Sequence, residues 1–545
     1  MRTVSRLLTL AVAACIVGGA LAARADDNQG GGSNQKNNSQ GGGNNQDNNS
    51  QGSGNYQHVL LISVDGMHAV DLTNYISAHP DSNFAHLAGH GIIYPNALTS
   101  APSDSFPGIL ALVTGGTPKS TGVFYDNSYD RTLFAPGSNC QGPAGANTLF
   151  DESIDVDKTL TDAGGTLGKP LTQINPANLP MGFIGGTCVP IYPHQFIQVN
   201  TLFEVIRAHG GRTAWSDKHP AYDLVNGPSG QGVEDLFTPE VNSTDPIYPL
   251  ITDTTTGFHS VQRNDFLKVQ SILNEIDGLD STGKHNPGVV PTIFGMNFQA
   301  VSVGQKLKTG NKNDPLDCPT PTTCLIGGYA DSLGKTPHNG LQSGLDFVDQ
   351  QIGQIVVKLR HNGLLQSTLV IITAKHGQSP IDVTLRQAVD DTPYAMTPGI
   401  AQYTTDDVGL VWLSPSLQQK DYAAAKAYLL GQAGPLGIVT LLDKSDLAPL
   451  YGNPFGNNRT PDFIAKTTHG LIYTGGSKLA EHGGFAHDDR NVALLVYNPG
   501  FTPKVVSDQV ETRQVAPTIL QALSIRQNDL DSVRTENTNV LPGLE

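Results

Sequence analysis

The chain has 545 residues, is 38% hydrophobic and carries a formal net charge of −16. An acidic balance of that size argues against a groove for a nucleic-acid duplex, and beyond the N-terminus no stretch is long and apolar enough to span a membrane. The length suits one large α/β domain with insertions, or two domains.

The first 25 residues read as a signal peptide. Arg2 and Arg6 form a basic start, Leu7 to Leu21 an apolar core too short for a good membrane span, and Ala23-Arg24-Ala25 a small-residue cleavage site. Cleavage there predicts a secreted or periplasmic protein. A lipoprotein anchored through Cys15, after Val12-Ala13-Ala14, is the less favoured alternative. Residues 26–57 are nearly all Asn, Gln, Gly, Ser and Asp. Such a composition buries too little apolar surface to offset chain entropy, and predicts a disordered linker.

The folded part is expected over 58–545. Residues 58–64, His-Val-Leu-Leu-Ile-Ser-Val, predict a buried parallel strand that delivers Asp65 at its C-terminal edge. In open α/β sheets that edge is where ligands bind. Next comes Ser105 ahead of a helix expected over 106–114. Pro107 in its first turn makes Ser105 an N-cap candidate, with its hydroxyl at the end of the helix that attracts anions. Further strands are expected at 212–215, 291–298, 368–373, 408–412 and 491–497. Further helices are expected at 199–209, 260–276, 340–362, 419–432 and 512–523. This alternation predicts an α/β fold with a mainly parallel central sheet and helices on both faces. Residues 126–200 and 216–258, rich in Gly, Pro, Asn and Asp, read as insertions, and 380–490 as a small cap.

Four cysteines follow the signal peptide. An even number in an exported chain points to disulfides. Cys318 and Cys324 flank a Pro/Thr-rich loop and pair with each other, which leaves Cys140 for Cys188. Zinc is the rival, and no His sits at ligand spacing beside either pair.

Other chemistry-bearing residues cluster after the strands. His376 follows the apolar run 368–373, beside Gly377, and His482 precedes Gly483-Gly484. His487-Asp488-Asp489 reads as a solvated turn more than as a source of metal ligands. Asp104 reads as a capping partner.

The order Val64-Asp65-Gly66, Pro102-Ser103-Asp104-Ser105-Phe106-Pro107, then Thr114-Gly115 with Pro118 and Gly122, resembles the alkaline phosphatase superfamily. It is most similar to the branch of type I phosphodiesterases and nucleotide pyrophosphatases. The segments Val348 to Gly353 and Thr368 to Thr373, and the late His482-Gly483, match that branch too. The resemblance runs from about 58 to 525. It implies a metal-dependent hydrolase of a small phosphate ester with divalent cations, usually zinc, at the sheet edge. Carried over, Asp65, Ser105 and His376 are ligands of one cation, His482 is a ligand of a second, and Ser105 is the nucleophile.

Three departures stand against the full metal set. Lys375 replaces the Asp of an Asp-His pair, and a protonated lysine repels a metal. The Asp-x-x-Gly-His motif should fall within 294–305. One register puts Gln299 at the Asp position; another puts Val301 there and Gln305 at the His position. Lys375 is therefore expected to act in catalysis as a stand-in for one cation, which leaves one divalent ion, or two, expected in the site. Trp215-Ser216-Asp217-Lys218-His219 resembles the segment with which sulfatases grip sulfate oxygens, which makes Lys218 and His219 candidates for substrate binding. The sulfatase nucleophile motif with its Arg is absent after Ser105. The alternatives are a sulfatase-like or phosphomonoester hydrolase, and a binding protein on the same fold with impaired catalysis.

Overall fold

The structure, a computed structural model, describes residues 56–320 and 322–544. The expected signal peptide and nearly all of the linker lie outside the described residues. The linker's last two residues, Tyr56 and Gln57, belong to the folded part: their backbone N–H groups donate to Ala522 O and Ser367 O at 3.1 and 2.9 Å.

The central sheet has eight strands: β1 His58–Val64, β2 Gly91–Ile93, β3 Ala214–Ser216, β4 Asp235–Phe237, β5 Ile293–Phe298, β6 Thr368–Thr373, β7 Leu494–Tyr497 and β8 Lys504–Val505. Their order is β8-β2-β7-β6-β1-β5-β3-β4. Strands β6, β1, β5, β3 and β4 run parallel, whereas β7 is antiparallel to β6 and to β2. The centre is therefore parallel, as expected, and one flank is mixed.

The apolar run of β1 is continuous because both of its faces are covered. Val59 and Leu61 join one core with the helix α1 (Ser105–Thr114). Leu60, Ile62 and Val64 join the other with α2 (Phe258–Ile276) and α3 (Asn339–His361). This alternation is the period of two of a strand. Registers Ser63↔Thr373, Ser63↔Asn297 and Met296↔Ser216 level the C-terminal ends of β1, β6, β5 and β3. Asp65, Lys375, Gln299 and Asp217 thus leave the sheet at one edge.

The strand expected at 408–412 exists as Val408–Leu413, but in another sheet. It pairs antiparallel with Ile400–Thr405 and Phe463–Thr467, and the latter with Ile438–Leu442. An apolar run reports burial on two faces and not which sheet it joins. Here Val411 and Leu413 face one core, while Val408, Leu410 and Trp412 pack with Phe124, Tyr125 and Tyr129 beyond α1.

Both disulfides form as expected, Cys140–Cys188 and Cys318–Cys324. Among the described residues no helix is long and apolar enough to cross a membrane.

Candidate active site

Asp65 follows β1, and the turn after it needs Gly66, whose φ of +77 few side chains tolerate. The turn is locked from both neighbours: Asp65 N–H donates to Phe298 O at 2.9 Å and Gly66 N–H to His376 O at 3.1 Å. The Asp65 carboxylate is fully buried.

Helix α1 brings the serine. Its N-cap is Asp104 and not Ser105: the Asp104 carboxylate accepts from Phe106 N–H at 3.0 Å. Ser105 is instead the first helical residue, at the end that carries partial positive charge. The expectation of Ser105 as cap is thus off by one, because the short carboxylate before it reaches the free N–H first. Gly108 lets this end of the helix lie on the Lys375 carbonyl, where any Cβ would collide with backbone. The Lys375 carbonyl also accepts from the Thr99 hydroxyl.

Three cationic or imidazole side chains converge on Asp65. Lys218 Nζ donates to Asp65 Oδ2 at 3.2 Å and to Ser105 Oγ at 3.4 Å. Lys375 Nζ lies 3.4 Å from Asp65 Oδ2 and 3.5 Å from Asp217 Oδ1, and donates to Tyr222 Oη at 2.5 Å. His376 Nε2 is 3.7 Å from Asp65 Oδ2. His376 and His482 stack with centroids 4.0 Å apart, and His482 Nδ1 lies 3.5 Å from Asp104 Oδ1. Tyr222 stacks on Phe106 at 4.7 Å. His219 lies alongside Tyr222, ring centroids 6.4 Å apart, and pairs with Glu240 at 2.9 Å.

The electrostatics follow. Burial pushes the Asp65 carboxyl up, but Lys375, Lys218 and His376 together hold it well below the usual carboxylate range. Burial pulls Lys218 down, yet Asp65 and Asp217 raise it above the ordinary lysine value. For Lys375 burial wins over Asp217 and Asp65, and its pKa is lowered. Burial also lowers His376, and holds His482 well below the usual histidine range with help from His376. Burial raises Asp104 to about 7.

The donor set does not fit the one or two divalent cations expected. The structure brings Asp65, Ser105, His376 and His482 to one edge. Yet among the described residues no three His, Cys, Asp or Glu side chains are arranged to hold a metal. Asp65 Oδ2 is already shared by two lysines. At the second cation's place the amides are neutral: Gln299 caps Ala300–Lys306, and Gln305 Nε2 donates to Gly66 O and Tyr329 Oη at 2.8 and 2.9 Å. The buried atoms Asp65 Oδ1, Asp104 Oδ1, His376 Nε2 and His482 Nδ1 have no hydrogen-bond partner. They line the site as free polar atoms and not as a cage.

The run after His482 is neither a solvated turn nor a ligand set. His487–Arg490 is a short helix, and Asp488 Oδ2 accepts from Ile381 N–H and pairs with His469 Nε2 at 2.8 Å. Asp489 faces Asp407 beside Gly484, in a layer of buried acids. Burial and Asp489 push Asp407 well above the usual carboxylate range. A raised carboxyl contributes stability below its unfolded pKa of about 3.9 and loses it as pH rises through the folded value. Asp407→Asn is therefore expected to gain about 1–3 kcal/mol more at pH 8 than at pH 5. Denaturant melts at the two pH values check this, and an equal effect at both would rule it out.

Tyr222 and Asp217 were not legible as site residues. Asp217 at least follows a strand at the ligand-binding edge. Tyr222 sits in a segment read as an insertion, with no signal of its own.

A parallel sheet edge that presents a helix-borne serine to a buried carboxylate defines this as a member of the alkaline phosphatase superfamily. The model for the family of type I phosphodiesterases / nucleotide pyrophosphatases matches residues 59–204 and 286–489, and the chain belongs to that family of phosphoric ester hydrolases. Among solved structures, alkaline phosphatase PafA is similar over 87% of this chain and 97% of its own, at 13% identity and a TM-score of 0.58. Murine ectonucleotide pyrophosphatase / phosphodiesterase 5 is similar over 86% of this chain and 96% of its own, at 13% identity and a TM-score of 0.52. An inactive form of that murine protein in complex with AMP aligns equally well. At such identity these likenesses show the fold alone. No curated protein matches the sequence.

Proposed function

We propose that this protein is an exported hydrolase of small phosphate esters that works through a covalent phosphoserine on Ser105. The observation that carries this is the contact of Lys218 Nζ with both Ser105 Oγ and Asp65. It supports reading Ser105 as a nucleophile with a positive charge and a balancing carboxylate beside it. Export is supported by the two disulfides.

In the first step Ser105 Oγ bonds to phosphorus and the bond to the leaving oxygen breaks. The serine proton passes to a phosphoryl oxygen of the ester as the new bond forms. Lys218 holds a phosphoryl oxygen, and Lys375 adds a second positive charge where negative charge grows. The leaving alkoxide takes a proton from water. Water then attacks the phosphoserine, one of its protons passes to the departing serine oxygen, and Ser105 is freed. His219, held by Glu240, borders the site and orients the ester. The divalent ion, one or two, expected at Asp65, Ser105, His376 and His482 takes no part in these steps.

The test is to quench turnover of p-nitrophenyl phosphate and bis(p-nitrophenyl) phosphate in acid and map the adduct by mass spectrometry. A phosphoryl group on the Ser105 peptide is expected. Steady turnover with no adduct under any quench would point to direct attack by water. Absence of turnover would favour the binding-protein alternative.

A further inference from the structure

We infer that this chain hydrolyses its ester without a divalent cation, with Lys218 and Lys375 as the two positive groups of the site and Tyr222 holding the second in place. The inference rests on the Ser105 reading and extends it.

Three independent features converge. First, the carboxylate that would anchor a cation is already neutralised: Asp65 Oδ2 has Lys218 Nζ at 3.2 Å and Lys375 Nζ at 3.4 Å. A dication placed on Asp65 would face two like charges at contact distance, in surroundings with little solvent to screen them. Second, the opposite wall is already satisfied, its Asp71 carboxylate accepting from Gln305 Nε2 at 3.2 Å and from Tyr329 Oη at 2.7 Å. Gln305 bonds Gly66, Tyr329 and Gln378, and Gln378 also donates to Ser302 O at 3.1 Å. Opening that network for a metal would strand several buried amides. Third, the lysines are built in from both sides. Lys218 is fixed by its N–H on Asp217 Oδ1 at 2.9 Å and its carbonyl under Val241 N–H at 2.9 Å. Lys375 is fixed by Tyr222, by Asp217 and by the packing of Gly108 on its carbonyl.

An ammonium can serve two of a cation's purposes here: it lies beside the serine oxygen, and it donates to phosphoryl oxygens. Lys218 at 3.4 Å from Ser105 Oγ is placed for both. Tyr222 is the positioning residue, since its hydroxyl accepts from Lys375 and its ring stacks on Phe106, the residue after Ser105.

The experiment uses the full mature protein. Metal content is measured by elemental mass spectrometry before and after dialysis against a strong chelator. Hydrolysis of the p-nitrophenyl monoester, the diester and the aryl sulfate is followed in the same samples. The expected result is substoichiometric metal and a kcat/KM that the chelator changes by less than about twofold. Lys218→Met is expected to lose about 10²–10³-fold, and Lys218→Arg to recover most of it. A tightly held ion whose removal abolishes turnover, and whose return as zinc restores it, would overturn the inference and leave the Ser105 reading intact. Ser105→Ala with full activity would sink that reading instead. A wild-type protein inert on all three esters would sink both.

Discussion

Ser105→Ala is expected to lower kcat/KM for phosphate esters by at least about 10⁴-fold, the scale of losing a covalent nucleophile. The fold should survive. Ser105 is buried, but its hydroxyl meets Lys218, and the N-cap of α1 is supplied by Asp104. An alanine there keeps the helix and removes the one oxygen that faces both a lysine and the edge of the sheet. Ser105→Thr keeps a hydroxyl at the same place and is expected to retain a measurable part of the activity. The pair of variants separates chemistry from packing. If Ala were as active as Ser, some other group would be attacking phosphorus. If Thr and Ala were equally inactive while both kept the wild-type melting temperature, the site would be intolerant of an added methyl and the Thr result would say nothing about the hydroxyl.

Asp65→Asn is expected to do the larger structural damage. Asp65 is fully buried and faces Lys218, Lys375 and His376. Removing its charge leaves a buried lysine pair whose nearest remaining carboxylate is Asp217. Breaking a buried ion pair from one side costs about 3–5 kcal/mol. A loss of that size in urea denaturation is predicted, together with loss of turnover. The sign with pH also follows. The folded pKa of Asp65 is depressed, so its contribution is present above the unfolded value of about 3.9 and is lost as pH falls through the folded one. The gap between wild type and Asp65→Asn should therefore close toward strongly acidic pH. A gap under about 1 kcal/mol at pH 7, as for an exposed pair, would show that Asp65 is not the counter-charge of this site.

Much of the frame was legible in the chain itself. The run 58–64 is apolar at every position but its first and Ser63, which only a strand covered on both faces requires, and Asp65 had to emerge at its end. The serine ahead of Phe106-Pro107-Gly108, the histidines after their glycine-flanked strands and the cysteine pairs were legible for the same reason. Each depends on local spacing and on residue type. The alternation of short apolar runs with amphipathic ones likewise announced parallel strands with helices between them.

What local spacing cannot carry is which distant groups share a space. Val408–Leu413 reads as a strand inside the region 380–490 expected to form a cap, and only its pairing with 400–405 and 463–467 assigns its sheet. Lys375 could be seen to displace a metal-binding Asp. That Lys218, 153 residues from Asp65 in sequence, shares the same carboxylate oxygen was not visible. Nor was the place of Tyr222 beside Lys375. The sequence by itself determined a phosphoester hydrolase fold with its serine and first carboxylate. The tertiary structure alone decided what balances that carboxylate, because charge pairing in a buried site depends on distances between strand ends, and the registers of β1, β3, β5 and β6 set those distances.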